Sequence, residues 1–160
     1  MARLYTMLLF ALLVLVMPVE SAGQNGQLAR LSEVHIVVER LSQDAKELGF
    51  NRDEIRNYVF VNLGRKLPRL VVNESAVPFI DIVANINKVG GEIISGYFGE
   101  VQIQVYRRVI VIESGSATIA PVWTNSFVLT SPPDRAAASV REALVRQLTR
   151  FAADWYRDNP

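Results

Sequence analysis

The chain has 160 residues, with 17 basic against 16 acidic side chains, and half of its residues are hydrophobic. That suits one domain with a sizeable core and gives no electrostatic case for nucleic acid. The lack of cysteine excludes disulfides and thiolate chemistry, and a single histidine, His35, leaves a zinc site short of ligands.

Residues 1–21 read as a signal peptide. Arg3 supplies a basic start, Met7 to Met17 is an unbroken apolar run of eleven residues, and Pro18 interrupts it. Val19 and Ser21 then offer small residues where a signal peptidase reads. The run falls short of the ~20 apolar residues that span a bilayer. Cleavage after Ser21, or after Gly23, is therefore expected, leaving a periplasmic or secreted chain with no transmembrane segment. Residues 22–32 are polar and glycine-bearing and are expected to form a flexible leader, with 33–160 as a single domain. Arginine outnumbers lysine 14 to 3. Either base composition or a surface for phosphate or carboxylate groups accounts for that bias.

Val34 to Leu41 is rich in β-branched residues and reads as a strand. Ser42 to Phe50 is a connector with room for a helical turn. Asn51 opens a helix, since its side chain can cap free amides and Glu54 completes a capping box. Ile55, Tyr58 or Val59, Leu63 and Leu67 recur at helical spacing, and Pro68 ends the pattern. Leu70 to Val72 is a short strand, followed by a turn.

From Phe79 the chain alternates, with Ile80, Ile82, Ala84 and Ile86 on one side and Asp81, Asn85 and Asn87 on the other. Gly90, Gly91 and Gly96 mark a connection. Val101, Ile103 and Val105 then face inward, while Glu100, Gln102, Gln104 and Tyr106 face out. Glu113 to Ser116 is a turn, and Ala117 to Leu129 is a last strand that Pro121 marks as an edge or a break. After Pro132, Val140, Leu144, Leu148, Phe151 and Trp155 form one helical stripe expected to lie on a sheet, with Arg141, Gln147, Arg150, Asp154 and Arg157 on other faces that should stay wet.

This order predicts an α+β fold: a two-layer sandwich with a mixed, mostly antiparallel sheet of about five strands and two helices on one face. The strands flanking the first helix should run parallel, and the last three should form an antiparallel meander. The polar sheet face should point at water.

Three pieces carry a resemblance: VHIVVERLSQDAKELGFNRDEIRNYV, VWTNS and FAADWYRDNP. They resemble a family of small exported bacterial proteins with an Asp-Ala after the first strand, an Asp-x-Ile-Arg helix start, a Trp-Thr/Ser element and a carboxy-terminal Asn-Pro. That family has no assigned activity. The arrangement is also similar, in fold only, to the amino-terminal domain of TolB-type proteins, and the resemblance implies service to the envelope by binding.

Catalytic candidates are sparse. His35 lies among strand residues without a nucleophile motif. Asp53 and Glu54 suit helix capping, and Gly90-Gly91 lacks the following helix that a phosphate loop needs. No metal site, cofactor or catalytic residue is assigned. The residues expected to form a binding surface are Trp123, Arg107, Arg108, Tyr97, Phe98 and Tyr106. Arg107 falls on the apolar side of its strand, so a bulge shifts the register there or a carboxylate partners it. The expected function is an exported binding or assembly module of the bacterial envelope without catalysis, its partner an envelope protein or envelope component. A small periplasmic hydrolase or a small-molecule-binding domain is the alternative.

Overall fold

A computed structural model describes residues 26–91 and 93–160, so the signal-peptide expectation lies outside the described residues. The elements are β1 (Glu33–Leu41), α1 (Gln43–Glu47), α2 (Arg52–Lys66), β2 (Val71–Val72), β3 (Phe79–Gly90), β4 (Ile94–Ile110), β5 (Ala117–Ser131) and α3 (Ala136–Asp158). The α+β sandwich expected from the pattern is what forms. Five strands lie in the order β2-β1-β3-β4-β5. Strand β1 runs parallel to both β2 and β3, and β3, β4 and β5 make the antiparallel meander.

Local chemistry sets the helix starts. The Asn51 side chain accepts the Glu54 amide at 2.8 Å, capping α2. Ser42 caps the short α1 through the Ala45 amide and also bonds the Ile86 backbone, which ties α1 to β3. The α2 stripe of Ile55, Val59 and Leu63 is buried, as is the whole α3 stripe from Val140 to Trp155. Both stripes meet the same sheet face, formed by Val34, Ile36, Ile80, Ile82, Val101, Ile103 and Val105. Gly99 belongs to that face for want of room, because a Cβ there would meet the Asn85 carbonyl and the Ile86 Cα.

Three expectations are corrected. The stretch 26–32 is not a loose leader: Leu28 and Leu31 are core residues, and the Trp155 indole donates to the Leu31 carbonyl at 2.8 Å. Two leucines in a polar stretch suffice, because the end of α3 supplies partners for the backbone around them. Gln147 and Asp154 are buried rather than solvated. A 23-residue helix lying against a twisted sheet covers more than one narrow stripe. Asp81 is only 3% exposed although it lies on the outer sheet face. Its register neighbours are Val37 on β1 and Gln104 on β4, both in the middle of the sheet.

Candidate functional site

The expected binding residues separate into different places. Trp123 is 1% exposed and points into the core, which corrects its reading as a surface anchor. The cause is a shift in register between Val105 and Tyr106: Val105 pairs with Trp123 and Tyr106 with Pro121, leaving Val122 as the extra residue. The indole therefore faces α3, meets Phe151 edge-on at 5.3 Å, and donates to the Asp154 carboxylate at 3.0 Å. Asp154 also takes Arg157 at 2.8 Å and Arg150 at 3.3 Å.

Arg107 stays on the apolar side and donates to the carbonyls of Gln27 and Ala29, each at 3.0 Å. Its partners are thus backbone oxygens rather than a carboxylate. Arg108 is exposed on the other side. Tyr106 is half-buried on the outer face, stacked on Phe79 at 4.7 Å and donating to the Gln104 side chain. Tyr97 is buried and Phe98 exposed. At ~3.3 Å per residue, Tyr97 and Arg107 lie about 30 Å apart along β4, so these six residues form no single surface.

The two sheet edges offer more. Strand β5 is an edge strand of 15 residues, and none of them is charged. Edge strands usually carry lysine, proline or a bulge to prevent pairing with another chain. Here Pro121 and the irregularity at Val122 guard the first half only. From Trp123 to Ser131 no such device is present. Beside this half, between β5 and α3, runs a groove of about 300 Å³ lined by Phe127, Leu129, Thr130, Ser139, Glu142 and Arg146. The Arg146 guanidinium lies over the Phe127 ring at 5.2 Å. Nothing in the local pattern of α3 singles out Ser139, Glu142 or Arg146; their place next to an open strand exists only in the fold.

At the opposite edge, β2 pairs with Glu33 and Val34 alone, so β1 is uncovered beyond them. There Ile36, Phe60 and Val72 floor a pocket of about 300 Å³ with His35, Arg56, Asn57 and Glu74 around it.

On the outer face, burial pushes the Asp81 carboxyl above its usual range, and the neighbouring Glu39 carboxyl adds to the rise. One Asp81 oxygen has no hydrogen-bond partner. Among the described residues no group of three or more His, Cys, Asp or Glu side chains could hold a metal ion. No described helix is long and apolar enough to cross a membrane.

No family model matches the chain, and no curated protein matches it. Several solved bacterial structures are similar to it. A variant PelC dodecamer from Paraburkholderia phytofirmans is 11% identical, with a TM-score of 0.49, over 78% of this chain and 88% of its own. A minor lipoprotein from Acinetobacter baumannii is 9% identical, with a TM-score of 0.38, over 74% and 89%. A hypothetical protein from Chlamydia trachomatis is 8% identical, with a TM-score of 0.43, over 78% and 93%. At these identities and scores nothing about a site or an activity transfers from them.

Proposed function

We propose that the chain is an exported binding module of the bacterial envelope, without catalytic activity, that captures an extended segment of an envelope protein along β5. The observation that carries this reading is the uncharged, unguarded half of that edge strand beside the α3 groove. An added strand draws its affinity from main-chain hydrogen bonds and its specificity from pockets for alternate side chains. The groove offers both an apolar floor at Phe127 and Leu129 and polar groups at Ser139, Glu142 and Arg146. Export is supported by the layout of residues 1–21 and by the resemblance to small exported proteins.

Site-specific photocrosslinking in cells tests the edge. A photoreactive residue at Val128 or Thr130, both exposed, is expected to yield one discrete adduct, while the same residue at Asn87 on the outer face yields none. Val128→Lys should reduce the adduct formed from Thr130, because lysine is a natural edge guard. Equal labelling from Asn87, or no adduct at β5, would sink the proposal. A small-ligand domain is the second reading, supported by the pocket beside His35, whose polar side chains His35, Asn57 and Glu74 make no hydrogen bond or ion pair among the described residues.

A further inference from the structure

In an antiparallel sheet, alternate residues of an edge strand turn their N–H and C=O groups away from the neighbouring strand. Over Trp123–Ser131 these groups of β5 face no other strand of the sheet. Helix α3 runs back along this stretch. Ser131 and Ser139 share a hydrogen bond at 2.9 Å, the Arg146 guanidinium lies over the Phe127 ring at 5.2 Å, and the Trp123 indole meets Asp154 at 3.0 Å. These contacts match positions along the two elements. They place the middle of the Glu142–Arg146 turn level with Val128.

Glu142 and Arg146 are both exposed and both border the groove. Glutamate one turn before arginine is the favourable order for an ion pair within a helix. No such pair forms. Neither residue belongs to an ion pair among the described residues, and the guanidinium is turned over Phe127 toward the edge. An acid and a base one turn apart are complementary to the same turn of an antiparallel copy of the helix. Glu142 then meets Arg146 of the second copy, and Arg146 meets its Glu142, about a twofold axis level with Val128. By the same count Arg150, already paired to Asp154, falls opposite Ala138, so no like charges oppose there.

The same axis suits the strand. With Val128 opposite itself, Phe127 faces Leu129 of the second copy on the groove side. Ser126 faces Thr130, and Asn125 faces Ser131. Apolar meets apolar and polar meets polar, with no charge in the register. Pro132, which has no amide to donate, falls just outside it. The spacing agrees. Helix α3 bonds β4 through Gln147 to the Val101 carbonyl and β5 through Asp154 to Trp123, so its axis lies over the boundary between those strands. With strands about 4.8 Å apart, the two α3 axes come about 10 Å apart across the twofold, the contact distance of packed helices.

We propose that β5 pairs antiparallel with β5 of a second copy about this axis, and that the dimer shields the edge until a captured segment displaces one copy. The shielding rests on the reading of β5 as the capturing edge, since one edge holds one strand at a time. Asn125–Ser131 and one helix face per copy make a small interface, of the class that dissociates readily.

The test uses the chain from Ala22 onward, which contains every described residue, in sedimentation velocity over a wide range of concentration. A monomer–dimer equilibrium is expected. Glu142→Arg and Arg146→Glu each set like charges together twice across the axis, and each should weaken self-association at least about tenfold. Mixed, the two variants should dimerise with one another, because one supplies both arginines and the other both glutamates. The chain has no cysteine, so Val128→Cys places a single thiol at the axis. Mild oxidation should link it into a covalent dimer and leave Asn87→Cys monomeric. Far-ultraviolet circular dichroism of each variant should match that of the parent, because all four side chains are exposed. A monomer at every concentration overturns the proposal. So does a dimer indifferent to both charge changes, or one that Val128→Cys does not link. Each of these results leaves capture in cells standing, because the photocrosslinked adduct reads it separately. A dimer that meets every expectation, with only a second copy in the Thr130 adduct, supports the pairing and removes the captured segment.

Discussion

Replacing Trp123 by alanine tests the register of β5 directly. The indole is fully enclosed between sheet and helix, with Phe151 edge-on and Asp154 on its N–H. Large-to-small changes of a buried aromatic cost about 3–5 kcal/mol, against a total stability of roughly 5–15 kcal/mol for a domain. Asp154 would also lose one of three donors while remaining buried. Trp123→Ala should therefore sit near the limit of folding. Trp123→Phe keeps most of the volume and removes the N–H, at a cost of roughly 1.5–3 kcal/mol for a hydrogen bond to a charged group. Combined with Asp154→Asn, the double variant should fall short of the sum of the two single changes by about 1 kcal/mol or more. Urea unfolding followed by circular dichroism measures each value, with the slope expected to stay constant. A loss below about 1 kcal/mol for Trp123→Ala would refute the reasoning, because it would put the indole outside a well-packed core. Such a result would return Trp123 to the surface and remove the register shift at Val122.

Further outcomes concern the sheet. Asp81 has a folded pKa above its unfolded value, with desolvation as the main cause. Its ionised form therefore opposes folding at pH above the folded pKa, and that penalty vanishes as pH falls below the unfolded pKa. Asp81→Asn should raise the urea midpoint at pH 7 and give little or no gain near pH 4; a gain of equal size at both pH values would contradict this. Gly99→Ala places a methyl against the β3 backbone, 2.8 Å from the Ile86 Cα, and should destabilise by about 1–3 kcal/mol in the same assay. Unchanged stability would mean that β3 and β4 separate more easily than their register implies.

The regular parts of this fold were legible because they depend on near neighbours in sequence. Asn51 caps α2 through an amide three residues away, and the 3.6-residue repeat from Val140 to Trp155 needs only an apolar surface to lie on. Alternation along β3 and β4 likewise marks their inner residues without reference to any partner. Element order and short connections also indicate the β3-β4-β5 meander and the parallel run of β1 and β2, but no local pattern says that β3 returns to the free side of β1, so the place of β1 between β2 and β3 was not legible. The expected binding residues separate for a related reason. Pro121 does mark β5 as an edge, but the extra residue at Val122 turns the Trp123 side chain to the inner face, and only the pairing with β4 reveals that.

From its sequence alone, this protein has determined helices, alternating strands, a cysteine-free core and an amino-terminal segment with the layout of an export signal. These follow from side-chain chemistry acting over a few residues. Tertiary structure decided the burial of Asp81, Asp154 and Trp123, the packing of Leu28 and Leu31, and two surfaces left open: the β5 edge and the pocket at β1. Burial and exposure are properties of contacts between residues far apart in the chain. Asp154 and Trp123 meet across 31 positions, and Trp155 reaches Leu31 across 124, distances over which no local pattern carries information.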